Sequence, residues 1–140
     1  MRYTPNISKV KFKKFRKKKN YHSCLALKNL QFYYGKYALC AQETGFLKSL
    51  EIEACRKSIV RHLNRQGSLW IHCQPYKPCT AKGSNSRMGT GRGNISKWIF
   101  PVKKGEILFE LNSVPKKDAA FALVKASFKL SVKTKFCFQQ

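Results

Sequence analysis

Twenty-nine lysines and arginines stand against six carboxylates, a formal net charge of +23 in 140 residues. Charge this one-sided cannot be neutralised within the chain, so self-repulsion opposes compaction until something anionic supplies the counter-charge. The imbalance is also regional. The acids are Glu43, Glu51, Glu53, Glu106, Glu110 and Asp118, so none precedes residue 43 and none lies between 53 and 106. Residues 1–20 carry Lys9, Lys11, Lys13, Lys14, Arg16, Lys17, Lys18 and Lys19, interleaved with Phe12 and Phe15. Such a run is either a solvated tail or an extension that orders along a phosphate backbone, and the two phenylalanines favour docking. Full disorder does not fit the remainder, because 43% of the residues are hydrophobic and 13% aromatic. The length is that of one core. We therefore expect a basic nucleic-acid-binding extension over 1–22 and a single folded domain over 23–140.

Several classes of function fall away. No apolar run reaches the roughly 18 residues that a membrane helix needs, and the start lacks the apolar stretch of a secretory leader. With so few acids, paired-carboxylate catalysis or a carboxylate metal site has little to draw on. A nuclease or nucleotidyl transferase would need clustered acids, or a histidine with a nucleophile at suitable spacing, and neither occurs. The cysteines, at 24, 40, 55, 73, 79 and 137, form no Cys-x-x-Cys pair and have irregular intervals. They read as reduced thiols filling a core in a reducing compartment. No catalytic residue, metal or cofactor is expected.

The pattern along the chain is α+β. Gln31–Tyr34 and Tyr37–Cys40 read as strands around a Gly35-Lys36 turn. A helix is predicted from Ser49 to Gln66, with Ser49 as cap, Glu51 and Glu53 in its first turn and Gly67 as its stop. Ile52, Cys55, Ile59 and Leu63 share one stripe of it, and Lys57, Arg61 and Arg65 another, the latter a solvated face or an RNA contact. Ser68–Gln74 alternates, with Leu69, Ile71 and Cys73 opposite Trp70 and His72, and Pro75 and Pro78 end that strand. His72 has no acid or second histidine at ligand spacing and reads as a strand-face residue. Trp98–Phe100 and Ile107–Phe109 follow as strands, joined at Lys103-Lys104-Gly105. Pro115 opens a second helix that runs to about Leu130, with Ala120, Leu123, Val124 and Ser127 inward. Val132 to Phe138 alternates as a last strand.

Residues 79–94 cannot build a core and read as a long exposed loop. Gly83, Gly89, Gly91 and Gly93 alternate there with Lys82, Arg87 and Arg92, and Met88 is its sole large apolar residue. Glycine lets backbone N–H groups approach phosphates, and arginine contributes a forked donor. A nucleotide-binding P-loop is the competing idea, but Gly-Lys-Ser/Thr is missing and no helix follows directly. Composition leaves open a free-standing nucleic-acid chaperone or a DNA-compacting protein, because phosphate contacts are blind to sequence.

The order of these pieces resembles a known family, the universal large-subunit ribosomal protein L-sixteen in its bacterial and organellar form. Lys11-Phe12-Lys13-Lys14-Phe15-Arg16-Lys17 is similar to the family's basic opening, and Tyr34-Gly35-Lys36-Tyr37 to its turn. Ile52-Glu53-Ala54 with Arg56, Leu69-Trp70-Ile71, Lys77-Pro78 and Gly105-x-Ile107-Leu108-Phe109-Glu110 resemble its helix and strands. Arg87-Met88-Gly89-Thr90-Gly91-Arg92-Gly93 is similar to its Arg-Met-Gly-x-Gly-x-Gly loop, and Val114-Pro115 and Lys133-Thr134-Lys135-Phe136 complete the match. The family usually has Arg where His72 stands and Asp at Tyr76. The resemblance implies a mixed antiparallel sheet with two helices, a hammerhead-type arrangement. It implies a non-enzymatic constituent of the large ribosomal subunit that binds rRNA near the site where aminoacyl-tRNA enters. Neighbouring ribosomal proteins and the aminoacyl-site tRNA would be its partners, and it would not be a homo-oligomer. The rRNA-binding set would be Lys9, Lys11, Lys13, Lys14, Arg16, Lys17, Lys18, Lys19, Lys36, Lys57, Arg61 and Arg65. The set facing tRNA and the peptidyl transferase centre would be Lys82, Arg87, Met88, Gly89, Gly91, Arg92 and Gly93. The preference for Lys, Phe, Tyr, Asn and Cys suits an AT-rich organellar genome, so we expect a mitochondrion, with plastid or bacterial cytoplasm as alternatives.

Overall fold

The computed structural model describes residues 31–89 and 91–139. The basic run of Lys9 to Lys19, Cys24, and the 1–22 extension lie outside the described residues. Among the described residues seven strands and two helices follow in the order β1 (Tyr37–Ala41), β2 (Gly45–Lys48), α1 (Ser49–His62), β3 (Ser68–Ile71), β4 (Lys77–Ala81), β5 (Asn94–Val102), β6 (Ile107–Asn112), α2 (Lys116–Ser127) and β7 (Thr134–Phe138). The chain is α+β, as expected, with the strands divided between two sheets. One runs β3-β6-β1-β7 and the other β2-β5-β4, and each of these pairings is antiparallel.

The core lies where both sheets meet the helices. Leu39, Phe109 and Leu111 come from the first sheet, Leu47, Phe100 and Val102 from the second. Helix α1 contributes Ile52, Cys55 and Ile59, with Leu63 just past its end, as its periodicity predicts. Helix α2 contributes Ala119, Ala122, Leu123 and Ala126. The two helices pack on each other, and the small α2 side chains permit close approach. The expected α2 face was out of phase: Leu123 is buried, but Val124 is 46% exposed.

The helix ends differ from expectation for local reasons. Lys48, not Ser49, is the N-cap of α1. Its N–H donates to Glu51 Oε2 at 3.1 Å and its Nζ lies 3.2 Å from Glu51 Oε1. The helix stops at His62, because Asn64 (φ 49°) and Arg65 (φ 65°) turn into the left-handed region. Arg65 therefore leaves the Lys57–Arg61 stripe. Gly67 has φ 77°, and a Cβ there would collide with Val114 Cγ2 and approach Asn112 O to 2.8 Å. Helix α2 begins after Pro115 and ends at Ser127, and turn hydrogen bonds to Ala126 and Ser127 carbonyls replace its expected continuation to Leu130.

Three strand expectations change. Gln31–Tyr34 is no strand, because its backbone N–H groups go elsewhere, as described below. The strand from Ser68 ends at Ile71, although the His72 N–H still donates to Leu108 O at 3.0 Å. Lys77–Ala81 is a strand that contains Pro78. Strand β4 is an edge, where the missing N–H is tolerated. The 79–94 loop thereby shortens to residues 82–93, the tip of a β4–β5 hairpin. The turn at Lys103–Gly105 joins two strands of different sheets, carrying the chain from β5 to β6. Cys40, Cys55, Cys73, Cys79 and Cys137 are free thiols. Burial pushes Cys55 up to about 12 and Cys73 well above the usual thiol range, so both stay protonated and inert.

Candidate nucleic-acid interface

The acids explain why so many cations remain outward. Glu51 caps α1, also accepting from Ser131 Oγ at 3.0 Å. Glu53 takes the Arg56 guanidinium through two 2.8 Å hydrogen bonds, with Lys57 Nζ at 3.8 Å. The Arg56 fork holds the Glu53 carboxyl below its ordinary range against a smaller opposing effect of burial. Glu43 accepts the Lys133 N–H at 2.9 Å, and Glu106 the Lys103 N–H at 3.0 Å. Six carboxylates cannot offset twenty-nine lysines and arginines.

The β4–β5 hairpin gathers Lys82, Arg87 and Arg92 at its tip. At its base the strands cross so closely that a Cβ on Gly93 would overlap the Ala81 carbonyl. This is a steric requirement for glycine, independent of any ligand. Beyond it the tip opens. Ser86 N–H donates to Gly83 O at 3.1 Å, closing a turn, and Lys82 Nζ donates to the Gly89 carbonyl, tying the tip across itself. Gly89 (φ 96°) and Gly91 (φ 74°) sit in left-handed conformations with open space around them. Lys82, Arg87 and Arg92 surround a concavity of about 380 Å³ with Gly83, Ser86 and Asn94. Met88 is 95% exposed at the tip. The arrangement suits an anion: backbone groups unmasked by glycine, three cations around one hollow, and no apolar contact to the core.

The other expected contacts are placed on separate elements. Lys57 and Arg61 are exposed on α1, Arg65 is exposed in the turn after it, and Lys36 is exposed just before β1. The structure brings Lys82, Arg87 and Arg92 together and leaves Lys36, Lys57, Arg61 and Arg65 as dispersed surface cations. Arg56, by contrast, is committed to Glu53.

One constellation has no counterpart in the sequence reading. Glu110, on β6, has no exposed surface. Its carboxylate accepts N–H bonds from Tyr33 (3.1 Å), Tyr34 (2.8 Å) and Gly35 (2.8 Å). His72 Nε2 lies 3.0 Å from its Oε1. Burial pushes this carboxyl up, but the three N–H bonds, aided by His72, outweigh that and leave it below its ordinary range. The anchored segment lays its rings over β3: Tyr34 stacks on Trp70 (5.7 Å between centroids, 19°) and on His72 (6.3 Å, 6°). Strand alternation did put Trp70 and His72 on one face. Nothing in the sequence tied that face to a glutamate on another strand.

Among the described residues no cluster of His, Cys, Asp and Glu could hold a metal, and no helix is long and apolar enough to cross a membrane. Residues 7–137 match the family described as ribosomal protein L16p/L10e. A large ribosomal subunit protein uL16c of Porphyra purpurea is 48% identical over 103 residues, covering 74% of each chain. One from Gracilaria tenuistipitata is 41% identical over 128 residues, 91% of this chain and 95% of its own. The uL16 protein of Aeromonas hydrophila is 39% identical over 128 residues, 91% and 92% of the two chains. A match spanning both sheets, both helices and the glycine–arginine hairpin shows that the chain belongs to the ribosomal protein L16p/L10e family.

Proposed function

We propose that the chain is a structural constituent of the large ribosomal subunit and binds large-subunit rRNA near the site where aminoacyl-tRNA enters. The hairpin tip helps position tRNA near the peptidyl transferase centre, and the protein supplies no catalytic group. The carrying observation is the tip itself: Lys82, Arg87 and Arg92 around one hollow, on a hairpin whose narrow base is set by Gly93. Lys36, Lys57, Arg61, Arg65 and the Lys9–Lys19 run would add backbone contacts that fix the protein on RNA without reading sequence. Neighbouring ribosomal proteins are the other partners, and the chain does not act as a homo-oligomer. The composition favours a mitochondrial ribosome; plastid and bacterial relatives support the plastid or bacterial alternative.

Binding to rRNA fragments tests the reading. Log affinity against log salt should be linear, falling by roughly 0.7 to 0.9 per phosphate contacted. A nearly flat response would sink backbone-dominated binding. Sedimentation supplies the second arm: the protein should travel with large-subunit particles at moderate salt, whereas a DNA-compacting protein would follow the nucleoid. On such particles Arg87→Ala should slow tRNA accommodation without reducing occupancy of the protein. Loss of occupancy instead would make the tip an assembly anchor.

A further inference from the structure

We infer that Tyr33 and Tyr34, braced by Trp70 and His72, form a stacking site for unpaired RNA bases, distinct from the hairpin tip. The inference rests on the rRNA-binding reading above. Tyr33 and Tyr34 are 58% and 61% exposed, so both present aromatic side chains to solvent. The Tyr34 ring lies near-parallel to those of Trp70 and His72, and Tyr33 is 6.1 Å from His72. The exposed surfaces of the two tyrosines form an aromatic ledge, its rings tilted by 42° to each other.

That ledge is held stiffly. Three consecutive N–H groups end on one buried carboxylate, and a Cβ on Gly35 would approach Leu111 O to 2.6 Å, so the segment is pressed against β6. A ring ordered before binding loses little entropy on contact. The chemistry then selects the occupant. A π-face recognises another π-face, and duplex RNA hides its base faces in its own stack. A chain of net charge +23 in a ribosomal family meets RNA, and exposed Lys36, two positions after Tyr34, is a cation available for a flanking phosphate. The ligand is an unpaired base in an rRNA loop or bulge.

The test compares the full chain and its variants against a twelve-nucleotide oligouridylate and a twelve-base-pair RNA duplex at fixed salt. Tyr34→Leu keeps bulk and the backbone N–H but removes the π-face; Tyr34→Phe keeps both. Tyr34→Leu should weaken single-strand binding by about 5-fold or more. It should leave duplex binding and the salt slope unchanged, and Tyr34→Phe should bind like wild type. Equal single-strand affinity for Tyr34→Leu and wild type would overturn the inference. So would equal losses on both RNAs, with thermal unfolding showing whether the fold was the cause. If wild type itself bound neither RNA in a salt-dependent way, the rRNA-binding reading would fail instead. In purified large subunits, p-benzoylphenylalanine replacing Tyr34 should crosslink on irradiation to RNA. An adduct resistant to nuclease and sensitive to protease would put a neighbouring protein on the ledge and overturn the inference.

Discussion

Glu110 shows how a single side chain can organise a surface. Its carboxylate satisfies three N–H groups that have no strand partner, so its removal leaves one buried and two part-buried donors unpaired. Glu110→Gln keeps the volume but turns one acceptor into a donor facing donors. We expect a loss of about 1–3 kcal/mol at neutral pH, measured by urea unfolding. The pH dependence has a definite sign. The folded-state pKa lies below the ordinary 4.5, so the unfolded chain binds the proton more readily. The contribution is fully present above the unfolded value and is lost as pH falls through the lower folded value. Urea midpoints should therefore drop on acidification below about pH 4.5 in wild type. The drop should be smaller in Glu110→Gln, the remainder including Glu53, whose pKa is also lowered. The glycines of the hairpin separate in the same way. Gly93→Ala forces a collision with Ala81 O, whereas Gly89→Ala meets open space and carries only the strain of its φ of 96°. Gly93→Ala should lower the thermal midpoint more than Gly89→Ala, whose cost should stay near 1 kcal/mol. Equal midpoints would mean that the base of the hairpin yields.

At the level of elements, the two helices differ in how plainly they announce themselves. Helix α1 places bulky Ile52 and Ile59 at helical spacing, so its buried stripe is legible. Helix α2 buries Ala119, Ala122 and Ala126 and turns Phe121, Val124 and Phe128 outward. Apart from buried Leu123, its large apolar residues point outward, and its alanines carry too little hydrophobic signal to set the phase. Ile59→Ala should cost about 2–5 kcal/mol in urea unfolding. Val124→Ala should stay within about 0.5 kcal/mol of wild type, as a surface change does. A large loss at Val124 would mean that this face is buried. The same physics decided the strands. Cys79-Thr80-Ala81 lacks apolar alternation because β4 is an edge, yet it pairs with Lys97, Ile95 and Asn94. Phe32-Tyr33-Tyr34 looks like a strand because aromatics favour strands, yet its hydrogen bonds end on a side chain. The hairpin cations were legible because their chemistry is contiguous in sequence. The ledge was not, because Tyr34 and Glu110 are separated by 76 positions.

For the whole molecule, salt should act with opposite signs on stability and on binding. The free protein carries +23 with few internal counter-charges, so screening relieves self-repulsion. Raising salt from about 50 to 500 mM should raise the thermal midpoint of the isolated chain while weakening its hold on RNA. A midpoint that fell with salt would mean that the few internal pairs outweigh the repulsion. The Glu110 clamp has a further consequence, in time rather than space. Synthesis runs from residue 1 upward, so Tyr33–Gly35 leave the exit tunnel long before Glu110, 75 to 77 positions behind them, exists. Strand β1 waits likewise for β6 and β7, its two neighbours in the sheet. A nascent chain halted near residue 105 would thus display the tyrosines on an unanchored segment, whereas one stalled on a C-terminal linker long enough to carry the last strand out of the tunnel would not. Protease pulsed onto the two stalled chains should cut at Tyr33–Tyr34 in the first and spare it in the second. The aromatic ledge is among the last surfaces the ribosome finishes, which delays its contact with RNA until the core behind it is closed.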